Sequence, residues 1–131
     1  MIVIVIVGIL SAVALPNFLN QTGKAKATEA KTLTSASAKE AQVAWTEGGA
    51  TLLAEWAVTK GTANSPNAGC PAATDLFTFA CDDTTTTAVT ITGTGTAASG
   101  SLEGKTVIAT VDVENGGKID FCGTAPGMSA C

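Results

Sequence analysis

The chain has 131 residues, seven of them lysine and eleven acidic, with no histidine and a net charge of −4. Without histidine no Ser-His-Asp, Cys-His or metal-hydrolase arrangement can form, and the acidic balance offers no basic platform for nucleic acid. No glycine-rich phosphate loop with a lysine follows a predicted strand, so the sequence supports neither an enzyme nor a cofactor.

Residues 1 to 23 carry no charge, and the first nineteen, MIVIVIVGILSAVALPNFL, form one nearly unbroken apolar tract. That length exceeds a typical strand, so the tract reads as a helix destined for lipid or for a protein core despite its β-branched residues. Its apolar surface is built from Ile2, Val3, Ile4, Val5, Ile6, Val7, Ile9, Leu10, Val13 and Leu15. A cleavable secretory signal is disfavoured: Ala12-Val13-Ala14 imitates a cleavage site, but no lysine or arginine precedes the apolar run. A plain membrane anchor is the other simple reading. At 1.5 Å per residue, however, nineteen residues reach only about 28 Å, just short of a bilayer core. Gly8 and Pro16 both weaken helix, so the segment between them is expected to unwind partly when the tract is packed in an assembly.

From Asn17 the helix changes surroundings. Ala30, Leu33, Ser37, Ala41 and Ala44 recur at spacings of three and four and predict a small apolar face. Lys24, Lys31, Lys39 and Glu29 suit the opposite, solvated face, with Glu40 nearer the boundary. Gly48-Gly49 is a stop signal that places the helix end near Glu47, and a short second helix is expected over Thr51 to Val58. Trp45 and Trp56 read as packing residues. Gly61 to Pro71 reads as a loop.

Runs rich in Val, Ile, Thr and Phe follow at Leu76 to Ala80, Ala88 to Thr92, Thr106 to Val113 and Lys118 to Phe121, and each predicts a strand. Val107, Ala109, Val111 and Val113 alternate with Ile108, Thr110 and Asp112, which suits one face on a core, and Asn115-Gly116-Gly117 supplies a hairpin turn. The predicted class is α+β: a long amino-terminal helix, its apolar half protruding, packed against a small antiparallel sheet. The expected division is an apolar transmembrane or filament-core segment over 1–23 and a head over 24–131. Within the head, an amphipathic helix covers 24–47, a loop 48–75, and the sheet with its carboxyl-terminal disulfide loop 76–131.

Four cysteines, at 70, 81, 122 and 131, point to two disulfides in an oxidising compartment. Zinc is disfavoured by their spacing. Three pairings are open, and the expected one closes the shortest loops: Cys70 with Cys81, and Cys122 with Cys131. Asp82-Asp83 and the group Asp112, Glu114 and Asp120 lack a calcium-loop spacing and read as solvated charge. Thr84 to Thr87 read either as strand positions or as acceptors of O-linked glycan.

The string MIVIVIVGILSAVALPNFLNQTGKAKATEAK resembles the amino-terminal region of type IV pilins, with Gly8, Pro16 and the following polar helix where that family has them. QTGKAKATEAK is similar to cyanobacterial pilins in particular. Beyond about the first forty residues the likeness is one of plan: a variable loop, a small antiparallel sheet and a cysteine pair near the carboxyl end, here Cys122 and Cys131. The family's basic leader, its N-methylated first residue and the acidic residue near it are not in this sequence. The resemblance implies that about six mature residues precede Met1, enough to restore a membrane-spanning length. It also implies a homopolymeric extracellular filament on the bacterial cell surface, with the subunit inserted in the inner membrane before assembly. Its expected partners are a prepilin peptidase, an inner-membrane assembly platform and cytoplasmic ATPases. Twitching motility, adhesion, DNA uptake and aggregation are the behaviours such fibres serve.

The physics of the tract agrees with that expectation. An apolar helix can leave lipid for a bundle of identical helices without meeting water, and a heterologous, non-closing contact grows a fibre. Three other readings stand beside it. A major pseudopilin of a type II secretion system is disfavoured by the carboxyl-terminal cysteine pair. A membrane-anchored exported binding module would leave the protein dispersed. A conductive fibre finds little support in six aromatic residues and no tyrosine.

Overall fold

The computed structural model describes residues 1–58, 68–85 and 87–131, with the backbone alone for residues 16, 19, 20, 84 and 85. A long helix, α1 (Ile2–Trp56), precedes four strands: β1 (Phe77–Thr85), β2 (Ala88–Gly95), β3 (Thr106–Asp112) and β4 (Ile119–Gly123). A short 3-10 helix (Ala97–Leu102) joins β2 to β3. The strands form one antiparallel sheet in chain order, and α1 crosses the face of its two central strands. The chain is therefore α+β, with a long amino-terminal helix packed on a small antiparallel sheet.

The Gly48-Gly49 signal acts as a break rather than an end. Gly49 alone leaves helical geometry inside α1, at φ 59° and ψ −145°, a conformation that suits a residue without Cβ. Helical turns then resume to Trp56, so the short helix expected over Thr51 to Val58 is the continuation of α1, and the segment 48–75 is not all loop. Burial explains the continuation: Leu53 and Trp56 are both 2% exposed and anchor the last turns in the core. Of the loop expected over Gly61 to Pro71, residues 61–67 lie outside the described residues, as does residue 86 of the Thr84 to Thr87 run.

All four strands overlap the predicted runs, with β1 continuing past Ala80 to Thr85 and β2 past Thr92 to Gly95. In β3, Val107, Ala109 and Val111 are buried and the intervening residues half-buried, the period-two pattern of a sheet with one covered face. The β3–β4 turn uses Gly116 and Gly117 at φ 91° and 72°. Its register pairs Val111 with Ile119, and the Gln42 side-chain amide donates to the Gly117 carbonyl, tying the hairpin tip to α1.

The core has two parts. Near the break in α1, Ala38, Ala41, Leu53 and Trp56 pack on Val89, Ile91, Ala109 and Val111. Nearer the protruding half, Ala27 and Ala30 meet Phe77, Leu102, Val107 and Ala125. The buried face of α1 is turned from the predicted one. Ala30, Ser37 and Ala41 are buried as expected, but Leu33 and Ala44 are only half-buried, and Ala27, Thr34 and Ala38 lie inside. Small side chains let the helix approach the sheet closely, whereas Leu33 would hold it away. Thr34 is buried without loss because its hydroxyl donates to the Ala30 carbonyl at 2.9 Å.

Two disulfides join Cys70 to Cys81 and Cys122 to Cys131, the shortest-loop pairing. The first ties the chain after α1 to β1. There Gly69 and Cys70 donate to the Trp56 carbonyl at 2.8 and 3.1 Å, and Ser37 Oγ donates to the Gly69 carbonyl at 2.8 Å. The second closes the carboxyl end beside β4, where the Gly123 N–H donates to the Ser129 carbonyl at 2.8 Å.

Candidate polymerisation surface

The site built by this fold is the half of α1 that the head leaves uncovered. Burial along the helix begins at Gly23, where Ser101 and Pro126 close against it. On the amino-terminal side none of the described residues covers the tract. Ile2, Val3, Ile4, Val5, Ile6, Val7, Ile9, Leu10, Val13 and Leu15 range from 51% exposed at Ile6 to 75% at Ile2, and Phe18 is exposed beside them. The structure therefore brings the expected apolar residues together as the skin of one rod.

That skin covers the whole circumference. An amphipathic helix would place polar residues on one side, but residues 1 to 23 offer only Ser11, Asn17, Asn20, Gln21 and Thr22 as polar side chains. A rod apolar all round is stable when surrounded, as in a bundle of helices or in lipid. Four consecutive helical turns of Ile, Val and Leu in water would expose a contiguous patch well beyond the few hundred Å² usual for a soluble monomer.

The backbone stays helical from Gly8 through Pro16. Among the described residues, no atom outside the local helix backbone and the two chain neighbours lies within 4 Å of a Cβ placed on Gly8, so no packing there requires a glycine. No helix among the described residues is long and apolar enough to cross a membrane.

The other singled-out residues have structural roles. Trp56 packs in the core with its indole N–H buried and without a hydrogen-bond partner among the described residues. Gly69 lies so near that a Cβ there would fall 1.8 Å from the ring. Trp45 is half-buried at the edge of the same cluster. Asp112 is engaged by its own turn, accepting from the Asn115 N–H at 2.9 Å and the Glu114 N–H at 3.2 Å. Those bonds hold its carboxyl below the ordinary value. Lys118 and Asp120 form an exposed pair at 3.0 Å. Among the described residues no three His, Cys, Asp or Glu side chains gather as they would around a metal ion.

Sequence reading missed the 3-10 helix, whose AASGSL has no period. Its signal was a single leucine between small residues: Leu102 is fully buried, and the neighbouring Ser99 carbonyl accepts from Lys26 Nζ at 3.2 Å. No protein-family model matches this chain, and comparison with curated proteins and with solved structures returns no match.

Proposed function

We propose that the chain is the repeating subunit of an extracellular filament of the type IV pilin kind, polymerised through the apolar half of α1. One observation carries the reading: a rod of Ile, Val and Leu, apolar on every side and uncovered by the described residues of its own head, projects from a disulfide-linked domain. Identical rods packed side by side would bury that surface at roughly 25 cal/mol for each Å² removed from water. The sheet and its disulfides would then coat the shaft.

Before assembly the rod would rest in the inner membrane, and a prepilin peptidase and an assembly platform would deliver it to the growing base. Within the shaft the stretch from Gly8 to Pro16 would partly unwind and let the subunit lengthen under load. Filament density with unbroken i to i−4 bonding through Ser11 to Leu15 would remove that part of the reading. Electron microscopy of the full chain, purified in mild detergent and then freed of it, tests the whole. Fibres a few nanometres wide are expected. Dispersed monomers, or amorphous aggregate alone, would overturn the filament reading and favour an anchored module.

A further inference from the structure

The exposed side of α1 beyond Gly23 carries charges of opposite sign along two separate lines. At about 100° per residue, Lys24, Lys31 and Lys39 share an arc of about 80°. Glu29, Glu40 and Glu47 share one of about 20°, centred some 130° away. Between them run Ala25, Thr32, Ala36 and Val43, spaced by seven, four and seven residues. All ten side chains are exposed. Unlike charges flanking a shared seam are a device by which parallel helices set partner and register.

Each charged line borders a concavity. On the lysine side a groove of about 390 Å³ lies between α1 and β4, lined by Lys31, Lys39, Thr28, Ser35 and Phe121. Lys31 Nζ sits 5.0 Å from the centre of the Phe121 ring, which holds that cation at the rim. On the glutamate side a notch of about 150 Å³ beneath the break in α1 is lined by Glu40, Glu47, Val43, Leu52 and Trp56.

We propose that these two sides are the halves of one heterologous contact between copies of this chain, the lysine groove of one receiving the glutamate flank of the next. The inference rests on the filament reading and deepens it by naming the contact that sets the stagger. Lys31 and Lys39 stand eight residues apart and Glu40 and Glu47 seven, so both pairs meet when parallel helices are displaced by eight to nine residues. That displacement is about 12 to 14 Å along the axis. Pairing Glu40 and Glu47 with Lys24 and Lys31 instead would set Glu29 against Val13 of the neighbour and desolvate an unpaired carboxylate. In the shorter stagger Glu29 faces Gln21, with Lys24 one turn away. Because the lysine and glutamate lines differ, the contact does not close on itself after two copies, which suits a fibre.

Charge reversal on the full chain tests this, read as the protein concentration at which fibres first pellet. K31E/K39E and E40K/E47K should each raise that concentration at least about tenfold by placing like charges across the contact. The four substitutions combined, or an equimolar mixture of the two double variants, should recover most of the loss. Thermal unfolding of each variant, measured beside it, separates any loss of head stability from loss of assembly. Fibres from every variant at the native concentration would overturn this contact and leave the filament reading standing, whereas no fibres from the native chain would remove both. Loss confined to K31E/K39E, with no rescue by the combination, would assign the lysine line to an anionic surface such as lipid headgroups and overturn the proposal.

Discussion

The two halves of α1 have one backbone conformation and opposite relations to solvent. Residues 24–47 place Ala27, Ala30, Thr34, Ala38 and Ala41 on the sheet and every charge but that of Lys26 outward, so the covered side of this half is satisfied within one chain. Residues 1–19 have no such side. The large apolar groups described there, Ile2 to Leu15 and Phe18, are exposed on every side, and among the described residues the head covers none of them. The difference separates two tasks: small residues let one helix dock closely on its own sheet, while bulky β-branched residues give a surface that only other molecules can cover. A change in the leading half should therefore be felt in assembly, and a change on the buried side of the other half in the stability of the head.

The largest effect should come from a charge in the leading half. Ile6→Asp would place an unpaired carboxylate in the shaft, at a cost of several kcal/mol for each subunit. Fibres should disappear in micrographs while denaturant unfolding of the dispersed head shifts by less than about 0.5 kcal/mol. Fibres that persist would remove the leading half from the shaft. The converse belongs to the head. Trp56→Ala should destabilise it by about 3–5 kcal/mol, because it empties the largest fully buried site. Removing the Cys70–Cys81 link through paired serine substitutions should lower stability by about 3 kcal/mol in chemical denaturation. Gly49→Ala comes next, at about 1–2 kcal/mol, since alanine at φ 59° and ψ −145° is strained.

Much of this division could be read from the residues. The uncharged tract, the Gly48-Gly49 break and the alternation of Val107, Ala109 and Val111 are local signals that tertiary contacts reinforce. The shortest-loop disulfides follow from the same locality. The helix face was harder. Leu33 is the most hydrophobic residue on its stretch, and a periodicity argument gives it the core. The sheet instead selects the positions where the backbone can come nearest, which admits Thr34 and moves Leu33 to the margin. The 3-10 helix depends on Leu102 filling a space that Ala27, Phe77 and Val107 create jointly, and no single segment reveals it. The leading half was legible for the reason it is exposed: what it lacks, charge and a polar face, is visible one residue at a time.

The smallest effect concerns the tip of the β3–β4 hairpin. The Asn115 backbone N–H lowers the pKa of Asp112 most, followed by the Asn115 side-chain amide; desolvation opposes them, and the Glu114 N–H adds a smaller lowering. A carboxyl whose folded pKa lies below its unfolded value of 3.8 stabilises the fold fully above that value and progressively less as pH falls through the folded one. Asp112→Asn removes the titration and leaves an acceptor, so it isolates this carboxylate from the other acids. The gap in melting temperature between the native chain and Asp112→Asn should stay level above about pH 5 and narrow below the ordinary carboxyl range. A gap unchanged down to about pH 2 would mean that the ionised form holds this turn no better than a neutral amide does.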